Sequence, residues 1–528
     1  MAQKRVFLRE ATGLVRAAGT WDVIGFNGLN NQIGFGILWL ILWGPLLAPG
    51  GDMVIATLIV TVGAIFLSMC WGFLTATMPR SGGDYVWNSR VLHPSIGFAT
   101  SWSWVSWNYL WSGILSAWVA TPGLSTMFML LEKPDWSAAM TTPLMISIVG
   151  AIVILYQTAI LLLGIKAYFR YQTIVFALAM LMVIIALVLI GGVDRGVFIT
   201  KFDAFSAKYG SLTYQAAIDA AKEAGGEIPA TDWNATLKLL PVAYWGLAYS
   251  YLSAMIGGEI KNVKRTVVIG NTSAAIITGL FMALAAYLYQ QVVGYDFLYS
   301  IAYAWSNGLA GYNLPSQPDF VYLAGLLTDS MVIRALLGIG YVCWTIALPA
   351  MGILAQARIM LAWSFDRVMP AAMGDVNERF HVPAKAMAFF TAAGIVTLVL
   401  YAYFWGFLGS MTTAIGQSLT VFLFTAIAAA IFPFVGKVRH IWDSSPVKQY
   451  KVGGIPLMSV WGFGYLVFIL VVVYYFFAYP EYGAMHIPSL MLAVGFFATG
   501  LAWWFGARWY QKSRGIDLYL AYKELPPE

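Results

Sequence analysis

The 528-residue chain is 60% hydrophobic and only 10% charged, with a formal net charge of +6 at pH 7. A soluble domain carries about 25% charged residues, so this composition excludes a water-soluble enzyme or nucleic-acid-binding module and specifies an all-α polytopic membrane protein whose first partner is the lipid bilayer. The basic excess carries no message about nucleic acid, because its residues sort by loop.

A hydrocarbon core about 30 Å thick takes about 20 apolar residues per spanning helix. Runs of that length place twelve spans near 20–47, 53–78, 96–120, 142–163, 171–192, 239–258, 266–292, 331–362, 386–407, 409–434, 455–478 and 487–507. Residues 1–19 hold Lys4, Arg5, Arg9 and Arg16 without a small-residue cleavage site, and read as a cytoplasmic segment, not a removable signal peptide. The first span contains "NNQIGFGILW" (30–39). An amide left unpaired in hydrocarbon costs roughly 2–7 kcal/mol and glycine is the weakest ordinary helix former, so Gln32 and its neighbours predict a break near Gly34-Phe35-Gly36. Asp22, at the start of this span, suits either a helix cap or a coupling role.

In the third span, Asn108 and Ser112 lie four apart and share a helix face. They face a substrate, or their side chains bond back to their own helix. Residues 193–238 form one long polar loop, with "YQAAIDAAKEA" (214–224) readable as a surface helix. The sixth span is soft around Pro241 and Gly246 and ends at Glu259, which, like Gln32 in the first span, is a gating or coupling candidate; the blander expectation for Glu259 is a gate or loop ion pair at the surface beside Lys261. On the tenth, Thr412, Thr413, Gln417 and Thr420 either line a pathway or join helices.

Lys and Arg concentrate in the loops that would face the cytoplasm, whereas residues 293–330 contain neither. This positive-inside distribution puts both termini in the cytoplasm and the chain in a cell membrane. It also divides the chain into 1–19, a first five-span unit 20–192, the outer loop 193–238, a second five-span unit 239–434, two further spans in 435–507, and a tail 508–528. Five is odd, so the two units run in opposite directions, each opening on an interrupted span. Interrupted spans at matching positions of inverted halves point to a transport site at the midplane. A broken helix leaves N–H groups for an anion and carbonyls for a cation. Glycines in such spans also serve close helix packing.

Four stretches carry a family resemblance: "IGFGI" (Ile33 to Ile37), "MPRSGGDYVWNSRVLHPSIGF" (78–98), "GEIKNVKRT" (258–266) and "AQARIMLAWSFDRVMP" (355–370). Through them the chain resembles the amino acid–polyamine–organocation superfamily of permeases over roughly residues 18–440. The resemblance implies ten helices in a five-plus-five inverted repeat with helices 1 and 6 broken, followed by two extra helices, and a small-molecule amino acid as substrate. It places the substrate carboxylate on the amides of Gly34, Phe35 and Gly36, and the amino group on carbonyls near Trp245, Gly246 and Ala248, with Trp245 as an aromatic gate. Tyr249, Ser250 and Tyr251 stand where a glycine-x-glutamate pattern is usual, and Val263 where proline is usual. Ala179 takes the position of the lysine found in many proton-coupled members, and Thr345 is the one Ser/Thr hydroxyl in 341–363 for sodium coupling. A coupling ion, proton or sodium, therefore stays open, and no other cofactor is expected. Spans 1, 3, 6 and 8 hold no deep carboxylate, which favours a neutral, apolar amino acid over an amine or polyamine. The scattered histidines His93, His381, His440 and His486 make no metal cluster. Neither a catalytic pair nor an output domain after 508 supports an enzyme or a sensor.

Overall fold

The computed structural model describes residues 11–226, 228–314, 316–404, 416–485 and 487–526, with the backbone alone at 416–420 and 489. Lys4, Arg5, Arg9, Thr412, Thr413 and His486, and the side chains of Gln417 and Thr420, lie outside the described residues. Among the described residues, nine helices are long and apolar enough to cross a bilayer, or ten if the bent pair Val421–Phe434 and Gly436–Asp443 is one span. They include Met53–Thr77, Pro143–Leu162, Ile165–Gly191, Met331–Phe365 and Leu457–Ala478.

Local chemistry fixes where these helices start. The Asp52 carboxylate accepts from the Val54 and Ile55 amides at 2.8 and 2.9 Å and caps Met53–Thr77. Thr142 caps Pro143–Leu162 and Pro143 takes the first position, where its missing N–H costs nothing. Outside the membrane, Tyr214–Glu223 is a helix as its sequence predicts. It buries Tyr214, Ala217, Ile218 and Ala221, and the Tyr214 ring stacks on Phe297 at 4.3 Å. A second helix in this loop, Arg195–Lys208, has no clean apolar period and was not legible from the sequence.

The two remaining apolar segments are interrupted. In the first, Thr20–Asn31 and Ile33–Leu38 meet at Gln32, which adopts a left-handed conformation with φ 55°. The expected break at Gly34–Gly36 is therefore displaced: those glycines are helical, and the Gly36 amide donates to the Gln32 carbonyl at 2.6 Å. A further loosening follows at Trp39–Trp43, a π-helical turn before Gly44-Pro45. In the sixth segment, Leu240–Trp245 stops at Gly246 and the chain continues as turns and short 3-10 pieces through Glu259.

Side-chain amides hold the first segment in place. Asn27 Nδ2 donates to Asn271 Oδ1 at 2.7 Å, while the Ser253 amide donates to Asn27 Oδ1 at 2.9 Å. Asn31 Nδ2 donates to Thr278 Oγ1 at 3.1 Å, and Asn30 Nδ2 returns to the Phe26 carbonyl at 2.7 Å. Asn27 and Asn31 thus spend side-chain hydrogen bonds on ties to Val263–Tyr289 and the sixth segment, as a low dielectric demands.

Candidate functional site

A cavity of about 520 Å³ lies between the two interrupted segments, within the range of small-molecule sites. Its floor is aromatic and buried. Phe35 stacks on Trp118 at 4.9 Å, Trp39 meets Trp245 at 6.2 Å, and Trp111 meets Trp245 edge-on at 5.6 Å. Its rim carries Trp305, Gln317, Glu481 and Tyr482, from the face that also bears residues 193–238.

Four residues expected from the sequence line this cavity: Phe35, Trp245, Ala248 and Tyr249. Others do not. A Cβ on Gly34 would lie 2.9 Å from the Trp344 ring, and one on Gly36 would lie 2.8 Å from the Met282 sulfur and 3.0 Å from Gly246 Cα. Gly36 and Gly246 are therefore where the two segments touch backbone to backbone, and both glycines face packing contacts instead of the cavity. Ile33 is fully buried beside them. Asn108 donates to the Trp104 carbonyl at 2.8 Å and Ser112 to the Asn108 carbonyl at 2.8 Å, so both bond within their own helix. Thr345 likewise donates to Val342 O. Asp22 accepts from the Gly19 amide at 2.8 Å and acts as a cap. Gln32 is buried at the break, its Oε1 without a hydrogen-bond partner among the described residues.

Trp39, Trp43, Trp111 and Trp118 were not anticipated as lining residues. The signal was present: Phe35, Trp39 and Trp43 recur every four residues, and Trp111 and Trp118 are seven apart. Such stripes are equally common at membrane interfaces, and only the packed helices show which way they point. One of these residues and the expected Trp245 share a further property. The indole N–H groups of Trp39 and Trp245 have no hydrogen-bond partner among the described residues. A buried donor without a partner costs about 1–3 kcal/mol, which an anionic group in the cavity would recover. Among the described residues one carboxylate lines the cavity, Glu481, and it is held by Lys238 at 2.8 Å.

The opposite end is closed. Glu259 is not paired with Lys261 at the surface, as expected. It is fully buried and binds Arg358 through both oxygens, at 2.8 and 3.0 Å. The chain fold explains the correction, because the 3-10 turn at Gly257–Glu259 points the carboxylate inward onto Met331–Phe365. Beside it, Arg90 forks onto Asp366 at 2.6 and 2.8 Å, and the Tyr85 hydroxyl donates to the same carboxylate at 2.7 Å. The backbone is knitted too, with the Ala17 and Ala18 amides on the Glu259 carbonyl and the Gly82 amide on the Met255 carbonyl.

Helices that cross a membrane, two interrupted segments in contact, and a cavity between them open at one end and sealed at the other define a multi-pass membrane transporter. Residues 24–514 match the amino acid permease family model, and the chain belongs to that family of amino acid transporters. It is 22% identical over 413 residues, 76% of its length, to the vacuolar cationic amino acid transporter 4 of Arabidopsis thaliana. The match spans 61% of that relative's length.

Proposed function

We propose that this permease carries a neutral amino acid with a large apolar or aromatic side chain, by alternating access across a cell membrane, with both termini cytoplasmic. The observation that carries the substrate reading is the pair of unpartnered indole donors, Trp39 and Trp245, in an aromatic cavity whose single carboxylate is already neutralised. The donors suit a carboxylate, and the rings of Phe35, Trp118 and Tyr249 suit an apolar side chain. A sealed face opposite an open cavity is one of the two end states alternating access requires.

The five-plus-five repeat with two extra helices is supported by the pairing of elements. Met53–Thr77 packs along Val263–Tyr289. Thr20–Asn31 also packs on Val263–Tyr289, as Leu240–Trp245 packs on Met53–Thr77. Pro94–Trp118 packs on Met331–Phe365. Those are the contacts an inverted repeat relates to one another. Between the first and fifth spans, the Trp344 indole covers Gly34 and donates to the Ala179 carbonyl at 3.1 Å. An indole filling that place favours exchange or facilitated uniport over coupling to a proton or sodium ion.

A second reading, transport of a cationic amino acid or amine, draws on the name of the Arabidopsis relative and on the ability of tryptophan faces to hold cations. A thermal-shift screen over amino acids and amines separates the two, because a ligand stabilises the state it binds. Phenylalanine, leucine or tryptophan should raise the melting temperature and be taken up by proteoliposomes preloaded with the same amino acid. A response confined to arginine, lysine or a polyamine would transfer the assignment to the second reading.

A further inference from the structure

Four tryptophans of the substrate cavity form a closed circuit. Trp39 meets Trp118 at 6.3 Å, Trp118 meets Trp111 at 5.5 Å, Trp111 meets Trp245 at 5.6 Å, and Trp245 returns to Trp39 at 6.2 Å. All four line the cavity. Their planes stand at an angle to one another, as the walls of a box do, crossing at 74° and 82° on the two sides of Trp111 and at 46° on both sides of Trp39. Two walls are backed by a second layer, Phe35 stacking on Trp118 at 4.9 Å and Trp43 on Trp39 at 5.8 Å. Both interrupted segments contribute: Trp39 opens the π-helical turn of the first, and Trp245 ends the helical part of the sixth.

An apolar side chain is served as well by walls of leucine or valine. An indole face adds electrostatic attraction for a cation within about 6 Å of its ring centre, and a circuit with sides of this length keeps its middle inside that range of all four rings. Among the described residues no Lys or Arg lines the cavity to oppose a cation there, and Glu481 is already taken by Lys238. What the box lacks decides which cation suits it. A primary ammonium brings N–H donors that ring faces do not satisfy, and a buried donor without an acceptor carries its desolvation penalty. A quaternary ammonium has no such donor, and its methyl groups pack directly on the rings. The two walls with unpartnered indole N–H groups, Trp39 and Trp245, are neighbours in the circuit, so a carboxylate that takes both lies against that side of the box.

We propose that the cavity binds N,N,N-trimethylated amino acids, the betaines, with the quaternary ammonium inside the box of Trp39, Trp118, Trp111 and Trp245 and the carboxylate on the indole N–H groups of Trp39 and Trp245. This adds a second class of neutral zwitterion to the primary amino acids. The position of the carboxylate rests on the function proposed above; the box does not.

The test follows thermal unfolding of the purified full-length chain with glycine, N-methylglycine, N,N-dimethylglycine and N,N,N-trimethylglycine. Choline serves as a quaternary cation without a carboxylate, and phenylalanine as a primary amino acid with a large side chain. Stabilisation should grow along the methylation series, with trimethylglycine binding at least about tenfold tighter than glycine or choline. Trp111→Leu removes one wall and neither carboxylate donor, and should abolish most of that preference; Trp111→Phe should keep part of it. If Trp111→Leu does not fold, the methylation series on the parent chain decides alone. A flat methylation series, choline binding as tightly as trimethylglycine, or a preference undiminished in Trp111→Leu would overturn the proposal. Stabilisation by phenylalanine without any gain from methylation refutes the betaine site and leaves the proposed function standing, whereas trimethylglycine acting without phenylalanine does the reverse.

Discussion

Gly36 and Gly246 sit where two backbones come closest. Replacing Gly36 with valine puts a branched side chain 2.8 Å from Met282 Sδ and 3.0 Å from Gly246 Cα, and overpacking of this kind costs about 1–3 kcal/mol. The variant should melt several degrees lower and lose substrate-induced stabilisation. Unaltered stability would show that the two segments have room to separate. The indole donors invite a gentler change. Trp39→Phe and Trp245→Phe keep a ring and delete the N–H; a hydrogen bond to a charged group is worth about 1.5–3 kcal/mol, so uptake KM should rise about tenfold. An unchanged KM in both would detach the carboxylate from these tryptophans. Asp84 is fully buried, and neither carboxylate oxygen has a partner in another residue. Burial pushes its carboxyl up to about 7, partly offset by its own backbone N–H. The folded chain thus keeps a proton that the unfolded chain releases above the ordinary value of 3.8. Stability from this group falls as pH climbs from there toward 7. Asp84→Asn should flatten that fall, read as melting temperature from about pH 5 to about pH 8; an identical pH slope would count against it.

Among the elements, the two interruptions differ in kind. The first is a single left-handed residue, Gln32, a conformation costing roughly 1–2 kcal/mol for a non-glycine residue. The side-chain amides of Asn27 and Asn31, bound to Val263–Tyr289, hold it there. The sixth segment instead gives up its helix for the whole stretch from Gly246 to Glu259, and its end is fixed by the buried Glu259–Arg358 pair. Removing one partner of a buried pair leaves an uncompensated charge and costs about 3–5 kcal/mol. Glu259→Gln should therefore destabilise the chain by that order in thermal or denaturant unfolding. Exchanging both residues for a well-packed apolar pair, as in Glu259→Leu with Arg358→Met, should recover most of the loss. Equal losses in the single and double variants would mean the pair acts through something other than charge compensation.

Across the molecule, one face is tied by charge and the other is lined by rings. The Arg90–Asp366 and Glu259–Arg358 pairs close the first. They are joined by a C-terminal turn whose Tyr522 ring lies 4.9 Å from the Arg90 guanidinium. The aromatic cavity opens on the second. Asp366→Asn removes half of one tie while leaving the cavity untouched. It should raise the reactivity of a cysteine introduced at Ser364, which is buried beside the pair. A labelling rate equal to that of the parent would show that the remaining contacts seal this face alone.

The class of fold was legible because it rests on one-dimensional quantities. Apolar run length is set by bilayer thickness, and the placement of Lys and Arg is set by topology. The two interrupted segments were legible for the same reason, since amides, glycines and proline in an apolar run signal a break wherever they fall. Which atom faces what is a matter of packing in three dimensions. The glycines of "IGFGI" read as a ligand cradle, and only the packed structure shows that a Cβ on them would meet Trp344, Met282 and Gly246. Glu259 read as exposed and proved fully buried, because its partner Arg358 lies 99 residues away along the chain. The cavity's tryptophans come from four separate segments and share a wall only after the helices pack, since the direction of a side chain depends on neighbours that no local spacing encodes.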